Sequence, residues 1–472
     1  MLILALAAVV RVAGMDRQSY TMDEVTEIGI AARPVASIVT LADGFPPLYH
    51  LALSPWQTLA PPCALSVLLG LITVLGAYLL ASELGGRRAG LVYALVIALS
   101  PFQVWYAQEA RAYALVLPLA MLSLWTFARA RRTGRTRDWL GHAAVSLAGL
   151  YSHYYFAILV AINAMWAIID HARTRQTPYG ARVAGAIVIL GSLPVAWLVT
   201  ADLAHQSGTL ESRLTLIPIA YSVYAFVLGF ATGLSVRELH TATSGEALLA
   251  FAPWLLATVT CLLPLLPGAR RLAAERPRDV AWLATLVATP LIACAAASVM
   301  FAVKYKPSYV AWASLPLAML VSWIISREIG RSSVKLGVVG LAVLMVTSLT
   351  SRQVSDRYRN EALHEVAGYL REHASRTTPV LVSPPYMTSP LRYYLGREWK
   401  LAPIDGDDAN AVRKLLHSEY WLVYARPFHG DPDGTVLRVL EQTERVERTK
   451  SFAGVELFST EAPGEHGAAR GR

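Results

Sequence analysis

Charge is what this sequence has least of. Only 16% of its 472 residues are Asp, Glu, Lys or Arg, against about 25% in a soluble domain. So little charge cannot solvate the surface of a water-soluble protein of this length. Cysteine is nearly as scarce: Cys63, Cys261 and Cys294 lie far apart, with no CxxC and no His at ligand spacing. A disulfide framework and a Cys/His metal site both lack their residues. No Gly-rich phosphate loop, internal repeat or low-complexity linker is present, so nothing marks a nucleotide-binding loop. The nearest approach to a metal-binding acidic pair is Ile404-Asp405-Gly406-Asp407-Asp408. It reads better as a turn and helix cap, so no cofactor or metal is called for. The formal charge of +9 would suit nucleic acid. The basic residues, however, fall in short loops between apolar runs, where membrane topology accounts for them, and no nucleic-acid partner is expected.

What the sequence has instead is hydrophobic length. Uncharged runs recur at Leu65–Leu80, Leu91–Tyr106, Val183–Ala201, Ala247–Pro267, Val280–Val303, Val310–Ile325 and Leu336–Leu349. Each is near the roughly 20 apolar residues that cross the hydrocarbon core as a helix, the element that satisfies its own backbone. Met1–Gly14 has no clean signal-cleavage site and reads as a first helix. Basic clusters at Arg87–Arg88, Arg129–Arg137, Arg173–Arg182, Arg270–Arg278 and Arg327–Lys335 are placed in the cytoplasm by the positive-inside rule. Trp139–Asp170 is then split into two helices meeting near Ser152–Tyr155. Leu216–Leu234 and Pro46–Ala60 become interfacial or re-entrant segments on the outer side. The result is a mainly α, polytopic plasma-membrane (inner-membrane) protein with about eleven spans, its N-terminus cytoplasmic and everything from Ser351 outside.

From Ser351 the composition changes. The expected order is helix Arg357–His373, strand Val380–Ser383, helices Pro390–Leu395 and Asp408–His417, and strand Tyr420–Tyr424. Helix Thr435–Gln442 and a strand pair around Val446–Ser459 complete it. Strands separated by helical patterns imply a small extracytoplasmic α/β domain over residues 351–461. Ala462–Arg472 reads as a disordered tail. Residues 1–350 form the membrane domain, with a first outer loop at about 15–62.

Four polar clusters fall on the outer face. The first holds Met22-Asp23-Glu24, Glu27 and Asp43-Gly44-Phe45-Pro46-Pro47-Leu48-Tyr49. A carboxylate at the headgroup level is partly desolvated and becomes a better proton acceptor, although Asp23 equally suits an N-cap for a helix Glu24–Ala32. The second, Tyr106-Ala107-Gln108-Glu109-Ala110-Arg111-Ala112-Tyr113, sets an acid and a guanidinium at the membrane surface. A guanidinium there binds two oxygens of a lipid phosphate at once, although snorkelling and anchoring explain the pair as well. The third is Tyr151-Ser152-His153-Tyr154-Tyr155, which also fits an aromatic belt. The fourth, Lys304-Tyr305-Lys306-Pro307-Ser308-Tyr309, places lysines outside against the usual bias, as an anionic ligand would require.

Taken in order, these motifs resemble bacterial members of the GT-C glycosyltransferase superfamily, similar to protein O-mannosyltransferases and lipid A aminoarabinose transferases, over roughly residues 1–330. The resemblance implies an enzyme that moves a sugar from a polyprenyl-phosphate donor to an extracytoplasmic hydroxyl of a glycan, lipid or protein. It makes Asp23 the catalytic base and Glu24 its neighbour. It assigns Glu109, Arg111, His153 and Tyr154 to the donor and its phosphate. Relatives show Arg-Tyr where this chain has Ser308-Tyr309, and Lys304 or Lys306 then supplies the cation. The competing readings are a lipid-linked-sugar flippase or transporter and an inactive scaffold. A transporter favours ionisable residues near the midplane, whereas the central stretches here are nearly uncharged.

Overall fold

Apolar sequence with no partner for its backbone except itself forms helices, and the computed structural model is dominated by them. It describes residues 1–40, 46–205, 217–301, 305–406, 419–442 and 447–460. The helices run in order as α1 (Leu2–Val12), α2 (Met22–Ala31), α3 (Val35–Thr40), α4 (Leu48–Trp56) and α5 (Pro62–Leu99). Next come α6 (Pro101–Tyr106), α7 (Tyr113–Thr133), α8 (Thr136–Leu150), α9 (Phe156–Thr174), α10 (Tyr179–His205) and α11 (Ile217–Leu228). Then follow α12 (Ser244–Leu262), α13 (Leu266–Glu275), α14 (Pro277–Phe301), α15 (Ser314–Glu328) and α16 (Ser332–Val354). Among the described residues, 8 helices are long and apolar enough to cross a membrane. Leu190, Trp197, Leu249 and Leu336 stand exposed on them, as lipid-facing residues do. The protein is a multi-pass membrane protein.

The chain divides into two compact units. The first comprises Met1–Ala13, Ile28–Thr232 and Phe251–Leu349. Its core is aromatic: Phe102, Phe127, Phe156, Trp282 and Trp312 are fully buried, and Trp282 Nε1 donates to Asn163 Oδ1 at 3.0 Å. Two of the expected spans, Leu65–Leu80 and Leu91–Tyr106, share α5, which breaks at Gly86 with φ 82°. A Cβ on Gly90 would stand 2.8 Å from the Tyr78 carbonyl, so the second arm doubles back along the first at the Arg87–Arg88 corner. The second arm stops short of Tyr106, because Ser100 and Pro101 start α6, with Ser100 Oγ accepting from Gln103 N. Trp139–Asp170 does divide, with its turn at 151–155 between α8 and α9. The stretch around 216–234 gives α11, which at 12 residues is about 18 Å long and too short to span.

The second unit comprises Gly14–Glu27, Gly233–Ala250 and the described residues from Thr350 onward. Its centre is a five-stranded sheet in the order β2-β1-β3-β5-β4. The strands are β1 (Val380–Ser383), β2 (Leu401–Pro403), β3 (Trp421–Ala425), β4 (Glu447–Phe452) and β5 (Val455–Ser459). β1 runs parallel to both β2 and β3, and β5 pairs antiparallel with β3 and β4. Alternation sends Val380, Val382, Trp421 and Val423 to one face, against α17 (Leu363–His373) and α18 (Thr388–Leu395). Leu381, Leu422 and Tyr424 pack on the other with Val436 and Val439 of the short helix Thr435–Glu441.

The sequence reading departs from this unit in two places. The helix expected from Arg357 begins at Leu363, because Asp356–Tyr358 turns as a separate 3-10 segment. The short β2 was not foreseen, since three residues are too few for an alternation to register. The expected helix Asp408–His417, Asp407, Val446 and the tail Ala462–Arg472 lie outside the described residues, as do Asp43–Phe45 and Lys304.

Candidate active site

The acidic pair of the first loop belongs to the second unit. Thr21, not Asp23, starts α2: Thr21 N and Oγ1 donate to Glu24 Oε2 at 2.8 and 2.9 Å, and Glu24 N returns a bond to Thr21 Oγ1 at 3.3 Å. This reciprocal capping box places Asp23 and Glu24 in the first turn, where the helix dipole favours negative charge. Glu24 and Glu27, one turn apart, are each 3% exposed. Asp23 is exposed, so the partial desolvation expected of it falls on its neighbours instead.

The segment leading into that helix is held by the rest of the second unit. Arg17 donates to Val354 O and Asp356 Oδ1, both at 2.9 Å, and also to Gln353 O. Asn360 Nδ2 donates to Ser19 O at 3.0 Å, and Asn360 N donates to Gln18 Oε1 at 2.9 Å. Tyr20 N donates to the Tyr394 hydroxyl at 2.7 Å, with the two rings stacked. Glu238 pairs with Arg357 at 2.8 Å, anchoring the 233–250 segment to the same place. Outside the helices, Arg359 and Arg17 hydrogen-bond to Asp356 and hold its carboxyl below the ordinary range. Burial raises Glu238, but the bonds from Arg357 and Ser235 outweigh it and leave that group lowered too.

In the first unit three of the other clusters meet. The Arg111 guanidinium lies over the Tyr113 ring, 4.9 Å from its centre. Tyr113 packs on His153 at 5.2 Å, His153 on Tyr155 at 5.7 Å, and Tyr155 stacks on Tyr309 at 5.0 Å. Tyr305 bonds Ser222 of α11 at 2.6 Å. Residues more than 150 positions apart in sequence thus share one aromatic surface with a guanidinium at its edge. Burial, together with the Arg111 charge, pushes the loop imidazole of His153 down to about 3, so it is neutral near pH 7. Glu109 accepts from Trp105 Nε1 at 2.5 Å, and its carbonyl accepts from Ser66 Oγ at 2.6 Å. Tyr154 is half-buried beside His153, and Lys306 is exposed, with its carbonyl accepting from Tyr309 N at 3.1 Å. Leu48 N donates to Tyr151 O at 2.9 Å, tying the Pro46-Pro47-Leu48 motif to the third cluster.

Arg11 was missed by the sequence reading. Fully buried, it donates to Ile97 O and Ala98 O at 3.0 Å each, capping the last turn of α5. Gln108 Nε2 donates to Arg11 O and Ala13 O, both at 2.9 Å. The available signal was a lone arginine within an apolar first helix, where an unpaired cation is costly. Among the described residues no three His, Cys, Asp or Glu side chains gather as a metal site requires.

A sequence profile described as dolichyl-phosphate-mannose-protein mannosyltransferase matches residues 59–198. A search of curated protein sequences finds no match. Among solved structures, the chain is similar to ArnT from Cupriavidus metallidurans in its apo state, at 13% identity and TM-score 0.57, covering 97% of each chain. The same protein bound to undecaprenyl phosphate matches at 13% identity and TM-score 0.56, over 98% of each chain. The likeness extends over nearly the whole of each chain and shows a shared fold.

Proposed function

We propose that this chain is a membrane glycosyltransferase that moves a sugar from a polyprenyl phosphate to a hydroxyl acceptor on the extracytoplasmic face. The observation that carries this reading is the gathering of Arg111, Tyr113, His153, Tyr155 and Tyr309 onto one surface. Aromatic faces suit a sugar ring and an isoprenoid, and a guanidinium at their edge suits a phosphate. The mannosyltransferase profile and the fold shared with a protein solved with undecaprenyl phosphate support the same donor class.

The chemistry follows from the charges. As the anomeric C–O bond breaks, its electron pair goes to the polyprenyl phosphate, and Arg111 stabilises that charge, with Lys304 and Lys306 as further cations for it. Asp23, exposed at the start of α2, takes the acceptor proton as the new C–O bond forms from the opposite face, which inverts the anomeric centre. Glu24 holds the turn that presents Asp23. Glu109, His153 and Tyr154 shape the donor side; His153 is neutral and so adds no charge there. The arginine-rich corners face the cytoplasm, and the second unit lies outside.

The test is a panel of polyprenyl-phosphate sugars offered to the purified protein in lipid with soluble and lipid acceptors. The expected result is consumption of one donor with release of free polyprenyl phosphate. A donor that binds without being consumed, while the protein remains folded, would favour a flippase or scaffold and overturn the proposal.

A further inference from the structure

One cavity lies away from the aromatic surface. It lies at the other end of α7, near Arg131 and Arg132, 18 and 19 positions beyond Tyr113 and so about 28 Å along the helix. Its volume is about 1270 Å³, and it lies between α8, α9, α10 and the start of α14. The walls are mostly apolar, built from small residues such as Ala157, Ala161, Ala164 and Gly185 with Val188. On α8 the lining runs from Trp139 to Leu150, a depth of about 16 Å, or one leaflet's half of a roughly 30 Å hydrocarbon core.

Two further features point to an amphipathic occupant. At the rim, Arg131 pairs with Asp170, Arg132 with Glu83 and Arg276 with Asp279. Arg182 and Arg278 are exposed on the same rim and pair with no carboxylate among the described residues. Two cations are therefore left over where a lipid headgroup would lie. Within the walls, Trp139 Nε1, Ser146 Oγ and Asn163 Nδ2 are buried and have no hydrogen-bond partner among the described residues. Each is able to donate, and buried donors normally find acceptors.

We propose that this cavity binds one anionic membrane phospholipid, its phosphate on Arg182 and Arg278 and its acyl chains between α8, α9 and α10. An ester carbonyl below that headgroup is the acceptor that Trp139, at the rim end of α8, lacks. The site lies about a helix length from the aromatic surface and does not depend on the catalytic reading.

Native mass spectrometry of the full-length protein, released from nanodiscs containing equal phosphatidylglycerol and phosphatidylcholine, tests this. Wild type should retain one phosphatidylglycerol in preference to phosphatidylcholine. R182Q/R278Q should weaken that retention by about thirtyfold, about fivefold for each cation near a membrane surface. Gly185→Trp should abolish it by filling the cavity, since a Cβ at Gly185 meets no atom within 4 Å. Should Gly185→Trp misfold, the two exposed arginines still decide the question. Equal retention of the two lipids by wild type, or undiminished phosphatidylglycerol on R182Q/R278Q, would overturn the proposal.

Discussion

Arg111 and Tyr113 show how much of a site two residues can specify. The guanidinium lies over the phenol ring, 4.9 Å from its centre, and its planar fork suits a ligand with paired oxygens. Arg111→Lys keeps the charge but loses the fork. It should raise the KM for the lipid-phosphate donor by about tenfold, the cost of one charge-assisted hydrogen bond, with a smaller effect on kcat. Initial rates across donor concentration check this, and an unchanged KM would count against a phosphate role. The sequence exposed these residues because charge at membrane depth is expensive and therefore conspicuous. It offered Asp23 as the cap of the helix, whereas the cap is the Thr21–Glu24 pair, which leaves Asp23 exposed. Arg11 escaped notice for a related reason: its partners are backbone carbonyls 86 and 87 positions away, which no spacing reveals.

At the scale of elements, the second unit rests on ion pairs as much as on its sheet. Arg426 Nε and Nη2 donate to the two oxygens of Glu361 at 2.7 and 2.9 Å, and the Glu361 side chain is 4% exposed. Glu361→Gln should destabilise this unit by about 3 kcal/mol, the low end for breaking a buried pair, since Arg426 keeps some access to water. Hydrogen exchange at the β1 amides should then be faster by about two orders of magnitude, and unchanged protection would contradict the assignment. Acid acts on the same unit. Asp356 and Glu238 are both lowered in the folded state. Their contribution is therefore complete above the ordinary carboxylate pKa of about 4 and is lost as pH falls through the lowered folded values. The second unit should lose stability below about pH 4, and Asp356→Asn should flatten that dependence in a series of unfolding midpoints. An equally steep dependence in the variant would refute it. Most of these elements were legible: the run Val380–Ser383 is a short apolar stretch between helical patterns, and Trp139–Asp170 is too long for one span. Their ends were less so: α2 begins at Met22 because of a side-chain cap, and α17 begins at Leu363 because 356–358 turns separately.

On the scale of the whole molecule, the sequence announced a membrane protein through its poverty of charge. It could not announce that Gly14–Glu27 and Gly233–Ala250 would join the C-terminal sheet in one compact unit. Such grouping depends on contacts like Arg17–Asp356 and Glu238–Arg357, made between segments more than 100 residues apart. Through Arg17, Ser19 and Tyr20, the small α/β layer holds the segment that leads into the helix bearing Asp23. The account therefore turns on Asp23. The decisive measurement is sugar transfer by wild type and Asp23→Asn, side by side in lipid, from the donor the wild type uses, with the anomeric configuration of the product read by NMR. The account predicts an inverted product from wild type and a loss of at least about a thousandfold in kcat for the variant, with donor binding retained, as expected for removal of a base acting in the transition state. Near-normal turnover by a folded Asp23→Asn protein, or a product of retained configuration, would contradict it.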